Sequence, residues 1–349
     1  MQISEVAKLA GVSSATVSRH MSGGRVRRAE EIAVAISQLN YRPNPNARSL
    51  RSGRQRCVGV IVPDITNPFF SDLVGGVETV LAQQGIRVLL ANSNEDLAME
   101  ASMVADFVDR TDGLILFPPT ETDRILDEFV DESVPVVLVD RTMRDSKRAD
   151  VVLVDNAAGA SMAADHLVAL GHRRLGMISG PATNTPGRER HDAFLAASAS
   201  GGDSSISVQV VVSDFRVEGG YAAMTELLSA SPPITCVFSA NNLMTIGALR
   251  ALADHGVSVP DEISIVGFDD LDLADLLASP LTVIDRPSDE LGSIAASLLL
   301  QRIQDPGREF QYIRLPVSLL VRASTAPPCQ SWRSPAVETT MTTTESENP

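Results

Sequence analysis

Two sets of residues in this chain have the types and spacing for recognition chemistry. The first lies in ISEVAKLAGVSSATVSR, residues 3–19, where Ser14, Ala15, Ser18 and Arg19 face outward from a short helical segment. The second is spread along the chain: Asn67-Pro68-Phe69-Phe70, Asp140, Arg190, Phe215, Asn241-Asn242 and Asp269, each just past a short apolar run. Carboxylates accept hydrogen bonds, an amide donates and accepts, and a guanidinium donates in pairs. With aromatic walls added, the set suits a sugar, a sugar-like polyol or a nucleobase. For Asp140, Asn241 and Asn242 the alternative reading is helix caps and turn formers.

The first set needs two short helices at a tight turn. Val6, Ala7, Leu9 and Ala10 fall at helical spacing and predict one apolar face. Gly11 supplies the positive φ that a sharp turn requires. Ser13 stands where a second helix starts, and its hydroxyl can cap a free backbone N–H. Val17 is expected to point back at Val6 and Leu9. Such a helix-turn-helix lays its second helix in the DNA major groove. A third helix is expected from Arg28 to Leu39, with Ile32, Ala35, Ile36 and Leu39 as its apolar stripe.

Charge agrees with this placement. The 349 residues carry a net −15, yet residues 1–56 hold ten basic side chains against three acidic ones. A basic head on an acidic body fits a DNA-binding module joined to a different domain. Cys57, Cys236 and Cys329 have neither metal-ligand nor disulfide-framework spacing, which points to a reducing cytoplasm. No apolar run approaches the roughly 18–20 residues of a membrane span, and no apolar signal core opens the chain.

AKLAGVSSATVSR resembles the opening of the LacI-type regulators, the lactose-repressor and purine-repressor family. The resemblance implies a ligand-responsive regulator, a repressor, which binds a pseudo-palindromic operator in double-stranded DNA as a homodimer. It implies DNA contacts from Ser13, Ser14, Ala15, Thr16, Arg19, Ser22, Asn44, Ala47, Leu50 and Arg51. Arg19 would read a guanine edge, Ala15 a thymine methyl, and Thr16 and Ser22 would hold phosphates. ARSL at 47–50 matches the family's hinge helix, whose leucine wedges into the minor groove; Leu50 is the matching residue, and such a wedge unstacks and kinks the duplex. The chain departs from the family where Ser22 replaces the usual Asn. SGGRVRRAEE is also about two residues shorter than usual and lacks a Ser before the third helix.

From Cys57 the pattern changes to apolar strands alternating with helices, twice over, which implies two doubly wound lobes with parallel sheets. Ligands of such sheets bind outside the carboxyl ends of the strands, so facing lobes make a cleft. Resemblance to the periplasmic-binding-protein fold implies that Leu281–Ile284 and Ser288–Ile303 cross back to the first lobe, and that Tyr312–Leu315 and Val317–Val321 close the sheets. The expected fold is thus a three-helix helix-turn-helix head on an α/β, two-lobed body. The expected organisation is a head at 1–45, a hinge at 46–56, an effector domain at 57–326 and a disordered tail at 327–349. Within the effector domain, lobe 1 takes about 57–155 and 285–315, and lobe 2 about 156–284 and 316–326. The tail lacks the leucine heptads of a tetramerising appendage, so a dimer is expected.

The family places its effector contacts at Phe69, Phe70, Asp140, Arg190, Phe215, Asn241 and Asp269. Phe69 and Phe70 would stack on the ligand, and Asp140 and Asp269 would accept from hydroxyls or ring N–H groups. Arg190 would donate twice, Phe215 would close the wall, and Asn241 would donate and accept. Most members carry Asn-Asp where this chain has Asn241-Asn242. No cofactor is implied. The sequence has no G-x-G-x-x-G, Walker loop, G-x-S-x-G or H-E-x-x-H of an enzyme, and the five histidines are scattered, His172 in a turn of structural type. The competing reading is a cleft enzyme or solute-binding protein with an incidental helical head; an exported carrier would need the missing signal segment.

Overall fold

The computed structural model describes residues 2–21, 23–41, 55–122, 125–128, 134–143, 148–271 and 274–329. Ser22, Asn44, Ala47, Leu50 and Arg51 lie outside the described residues, as does the proposed tail beyond Cys329. The chain divides into two units, Met1–Arg56 and Cys57–Pro349.

The first unit is built on α1 (Ile3–Ala10), α2 (Ser14–Met21) and α3 (Ala29–Gln38). Its core is small: Val6, Ala7, Ala10, Val17, Ile32 and Ala35, with Ile36 and Leu39 half-buried against it. Leu9 is not part of it. At 52% exposure it corrects the sequence-based stripe, because the buried face of α1 runs through positions 3, 6, 7 and 10 and leaves position 9 to solvent. Gly11 sits at φ 63° and donates to the carbonyls of Ala7 and Lys8, closing α1. The shortened loop before α3 is matched by a long-range contact: the Arg28 guanidinium reaches the Ala10 and Gly11 carbonyls, both at 3.4 Å. A cation at a helix C-terminus opposes the partial negative charge there.

The second unit carries two six-stranded sheets. The first contains β1 (Cys57–Val62), β2 (Arg87–Asn92), β3 (Leu114–Leu116), β4 (Val136–Val139), β5 (Asp150–Val154) and β11 (Tyr312–Leu315), in the order β11-β5-β4-β3-β1-β2, all parallel. The second contains β6 (Arg174–Ser179), β7 (Ser207–Val212), β8 (Cys236–Ser239), β9 (Ser264–Phe268), β10 (Thr282–Asp285) and β12 (Ser318–Leu320), in the order β12-β10-β9-β8-β6-β7. Here β12 runs antiparallel to β10. The two orders are the same once the strands are renumbered within each sheet, so the lobes are built alike. Strands β1, β3, β4, β5, β8 and β9 are buried along nearly their whole length, as central parallel strands covered on both faces must be.

The chain crosses between sheets after β5, after β10 and between β11 and β12. The helices are α4 (Pro68–Gln83), α5 (Leu97–Val108), α6 (Ile125–Glu128), α7 (Asn156–Ala169), α8 (Thr185–Ser200), α9 (Val217–Leu228), α10 (Asn242–Asp254) and α11 (Ser288–Gln304), with a 3-10 turn at Ala274–Leu276. α8 begins at Thr185, because Asn184 caps it by accepting from Gly187 N at 3.0 Å. Helices α4 and α11 meet backbone to backbone. A Cβ on Gly76 would stand 2.0 Å from the Asp289 carbonyl oxygen, and one on Gly292 2.0 Å from that of Leu73. Among the described residues, no helix is long and apolar enough to cross a membrane.

Candidate functional site

The reading helix of the first unit is fixed by few contacts. Ser13 precedes α2 and its Oγ accepts from Thr16 N at 3.2 Å, the position an N-cap serves. The Thr16 hydroxyl lies 2.9 Å from the same Oγ, so Thr16 is tied to the cap. Val17 is the buried side chain of α2, while Ser13, Ala15 and Arg19 are exposed and Ser14 and Thr16 half-buried. After the helix, Gly24 N donates to the Arg19 carbonyl at 2.9 Å. A Cβ on Gly24 would come within 2.6 Å of Arg19 Cγ, so glycine lets the arginine stem lie over the turn.

In the second unit the candidate residues converge where the strand ends of the two sheets face each other. Phe69, Phe70, Asp140, Arg190, Phe215, Asn241 and Asp269 all line one cavity, together with Asn67, Glu95, Arg141 and Arg286. The cavity volume is about 30 Å³, room for one or two waters. Phe69 and Phe70 follow β1 at the start of α4, where Asn67 Oδ1 accepts from Phe69 N at 3.0 Å. Phe70 packs edge-on against Phe69 and Phe117. Asn241 caps α10, accepting from Met244 N at 2.8 Å, and donates to the Phe215 carbonyl at 3.1 Å. It is thus both a cap and a wall of the cavity. Asn242 reaches across to the other lobe and donates to Asn67 Oδ1 at 2.8 Å.

Asp140, Phe215 and Asp269 have φ of 63°, 64° and 73°, and Glu95 has 62°. This left-handed region disfavours side chains other than Gly, Asn and Asp, most of all a bulky ring. Asp140 and Asp269 are of the type that tolerates it, whereas Glu95 and Phe215 are not, and these two place local strain at the cavity. Phe215 is accommodated because Gly180, just past β6, has no side chain; a Cβ there would stand 2.0 Å from the ring.

Arg286, absent from the sequence-based set, dominates the interior. It follows β10, and its guanidinium bridges the lobes. It donates to Asp140 Oδ1 at the end of β4, and to Asp269 Oδ2 at 2.9 Å at the end of β9, with Nε 2.5 Å from Asp269 Oδ1. It also lies 3.3 Å over the Phe69 ring. Burial pulls its protonation down, but Asp269 and then Asp140 outweigh burial and hold the group above its ordinary value. Next to Asp140, Arg141 pairs with both oxygens of Glu95 at 2.5 and 2.6 Å.

Arg190 is placed differently. It is 1% exposed and stacks 3.5 Å over Phe268. Its Nε donates to Asn156 Oδ1 at 2.8 Å and its Nη1 to the Ala240 carbonyl at 2.6 Å. Nη2 has no hydrogen-bond partner among the described residues. Two of the donors expected for a ligand are therefore used within the protein. Burial, and then the charge of Arg286, push this guanidinium down to about 9.

Further contacts join the lobes. Arg188 donates to both oxygens of Glu121 at 2.7–3.2 Å, Thr185 donates to Glu121 at 3.0 Å, and Glu121 N donates to the Thr183 carbonyl at 2.8 Å. Asp270 turns away from Asp269 and pairs with Arg322 at 2.6 and 2.8 Å, so the adjacent carboxylates do not share a site. Among the described residues no cluster of His, Cys, Asp and Glu could hold a metal.

Residues 2–44 match the lacI family of bacterial regulatory proteins, and residues 164–325 match a periplasmic binding protein-like domain. The ribose operon repressor of Escherichia coli (strain K12) is 35% identical over 326 residues, covering 92% of this chain and 98% of that one. A LacI family transcriptional regulator from Enterococcus faecium, solved with bound ribose, is 32% identical with a TM-score of 0.68. It covers 78% of this chain and 99% of its own. The lac repressor dimer bound to operator and the anti-inducer ONPF is 25% identical with a TM-score of 0.81, over 93% and 99% of the two chains. This chain belongs to the lacI family of bacterial regulatory proteins, a helix-turn-helix head joined to a two-lobed body of the periplasmic-binding type.

Proposed function

We propose that the chain is a cytoplasmic transcriptional repressor, working as a homodimer on a pseudo-palindromic operator, whose hold on DNA is set by a sugar or sugar-like effector in the cleft. The observation that carries this reading is a cavity walled by residues from both lobes, in a chain whose head presents an exposed helix of small side chains around Arg19. The relatives add support: one is a ribose operon repressor, one was solved with ribose, and one as a dimer on its operator. In this reading residues 1–45 read DNA, 46–56 form a hinge helix, 57–326 bind the effector and 327–349 are a tail. Ser13, Ser14, Ala15, Thr16, Arg19 and Ser22 contact the major groove and its phosphates. Asn44, Ala47, Leu50 and Arg51 act at the centre, where Leu50 wedges into the minor groove. The cleft binds its ligand without turning it over.

The coupling is a two-state device. An effector touching Asp140 on one lobe and Asp269 on the other has different contacts in open and closed forms, and only such a difference can shift the balance between them. A change in lobe angle then orders or melts the hinge helices. Footprinting on the chain's own upstream DNA across a salt series tests this. The expected result is an operator-sized footprint whose affinity falls steeply with salt, as phosphate neutralisation releases counterions. A flat salt profile, or no footprint with any sugar present or absent, rejects it.

A further inference from the structure

We propose that the effector of this chain is anionic: a sugar-sized, hydroxylated body bearing one carboxylate or phosphate, which Arg190 and Arg286 grip together. The inference rests on the reading of the cleft as an effector site and narrows its ligand.

A neutral sugar would need carboxylates to accept from its hydroxyls and an aromatic face to lie on. Asp140 and Asp269 are both engaged by Arg286, and the same guanidinium covers the face of Phe69. A neutral ligand taking those places would leave a desolvated guanidinium in a closed cleft with nothing to replace two carboxylates. An uncompensated buried charge of that kind is strongly unfavourable.

Arg190 supplies the second observation. It is buried in the wall of the same cavity and hydrogen-bonds only to an amide and a carbonyl, neither of them charged. Its Nη2 points to no acceptor among the described residues. Both central carboxylates hydrogen-bond Arg286, Asp140 also lies 3.9 Å from Nε of Arg141, and Arg141 is held by Glu95, so Arg190 is left with no carboxylate hydrogen-bonded to it. A ligand anion repairs this arrangement. It fills the vacant Nη2 of Arg190 and takes over part of the fork of Arg286. Asp140 and Asp269 are then released to accept from the ligand's hydroxyls. The negative group and the hydroxyls are satisfied together, which neither a neutral sugar nor a simple inorganic anion achieves.

Calorimetric titration of the full chain with matched pairs, at constant ionic strength, tests this: ribose against ribose 5-phosphate, galactose against galacturonate, glucose against gluconate. The charged member of at least one pair is expected to bind about tenfold or more tightly than its neutral parent, as a charge-assisted contact to a buried partner predicts. The phosphate and carboxylate arms separate the two sources of charge. Arg190→Gln and Arg286→Gln are each expected to erase most of that ratio. If a Gln variant fails to fold, Arg190→Lys keeps the charge, loses the fork, and should retain only part of the preference. Equal or tighter binding of the neutral member in every pair overturns the proposal, as does a ratio untouched by both substitutions. Gel shifts with upstream DNA separate the two readings. Operator binding that persists while no anionic sugar binds defeats this proposal alone, whereas no operator binding under any solute defeats the regulator reading beneath it.

Discussion

The reading helix and the cleft use similar side chains in opposite ways. On α2, folding and recognition belong to different residues: Val17 and the Ser13 cap hold the helix, while Ala15 and Arg19 stand exposed. In the cleft the same residues do both. Arg286, Asp140 and Asp269 are candidates to touch the effector, and they also tie the two lobes together. The difference teaches that substitutions in the head should separate binding from stability, whereas substitutions in the cleft should not.

The largest effect is expected from Asp269→Ala. It removes two contacts from a buried guanidinium and leaves Arg286 with Asp140 alone, at about 3 kcal/mol of stability, the lower end for a broken buried pair. Thermal unfolding of the body should shift down accordingly, and an unchanged midpoint would mean that the cleft, like the head, keeps binding and stability apart. Next comes Arg19→Ala. Losing a bidentate contact to a base is worth about 1–3 kcal/mol, so operator affinity should fall roughly tenfold to a hundredfold in a gel shift while the melting curve stays put. A comparable fall in melting temperature would mean that the head, too, mixes its roles. The smallest effect concerns His172, buried in the body with Nδ1 2.8 Å from the Thr235 hydroxyl and Nε2 2.9 Å from the Ala326 carbonyl. Burial lowers its protonation below the ordinary 6.5. The unfolded chain therefore binds the proton first, and stability is lost as pH drops below about 6.5. The body's melting midpoint should decline from pH 7 to pH 5, and His172→Gln should flatten that decline.

How much of this was legible beforehand follows from how far apart the interacting residues lie. The head reads directly from its sequence because Gly11, Ser13 and Val17 act within one or two turns of each other. Leu9 misled because apolar type says nothing about which side of the stripe a residue occupies. In the body, apolar runs mark the strands, and among the positions just past them the family resemblance picks out seven residues, all of which line one cavity. The position just past TVID at 282–285 holds Arg286. Asp-Arg-Pro has the look of a connector, however, and the partners of Arg286 lie 17 and 146 positions away. Nor could residue type announce the left-handed backbone at Phe215, which depends on the empty space above Gly180.

The paired glycines of α4 and α11 carry a consequence for mechanics. With Gly76 and Gly292 each seated on the other helix's backbone, the two helices approach with no side chain between them at these points, and a larger residue at either position would have to push them apart. α4 begins one residue before Phe69, and α11 two residues after Arg286. Parting the helices would therefore also part the aromatic wall from the bridging arginine, so the fit of two glycines outside the cavity sets how its two faces meet.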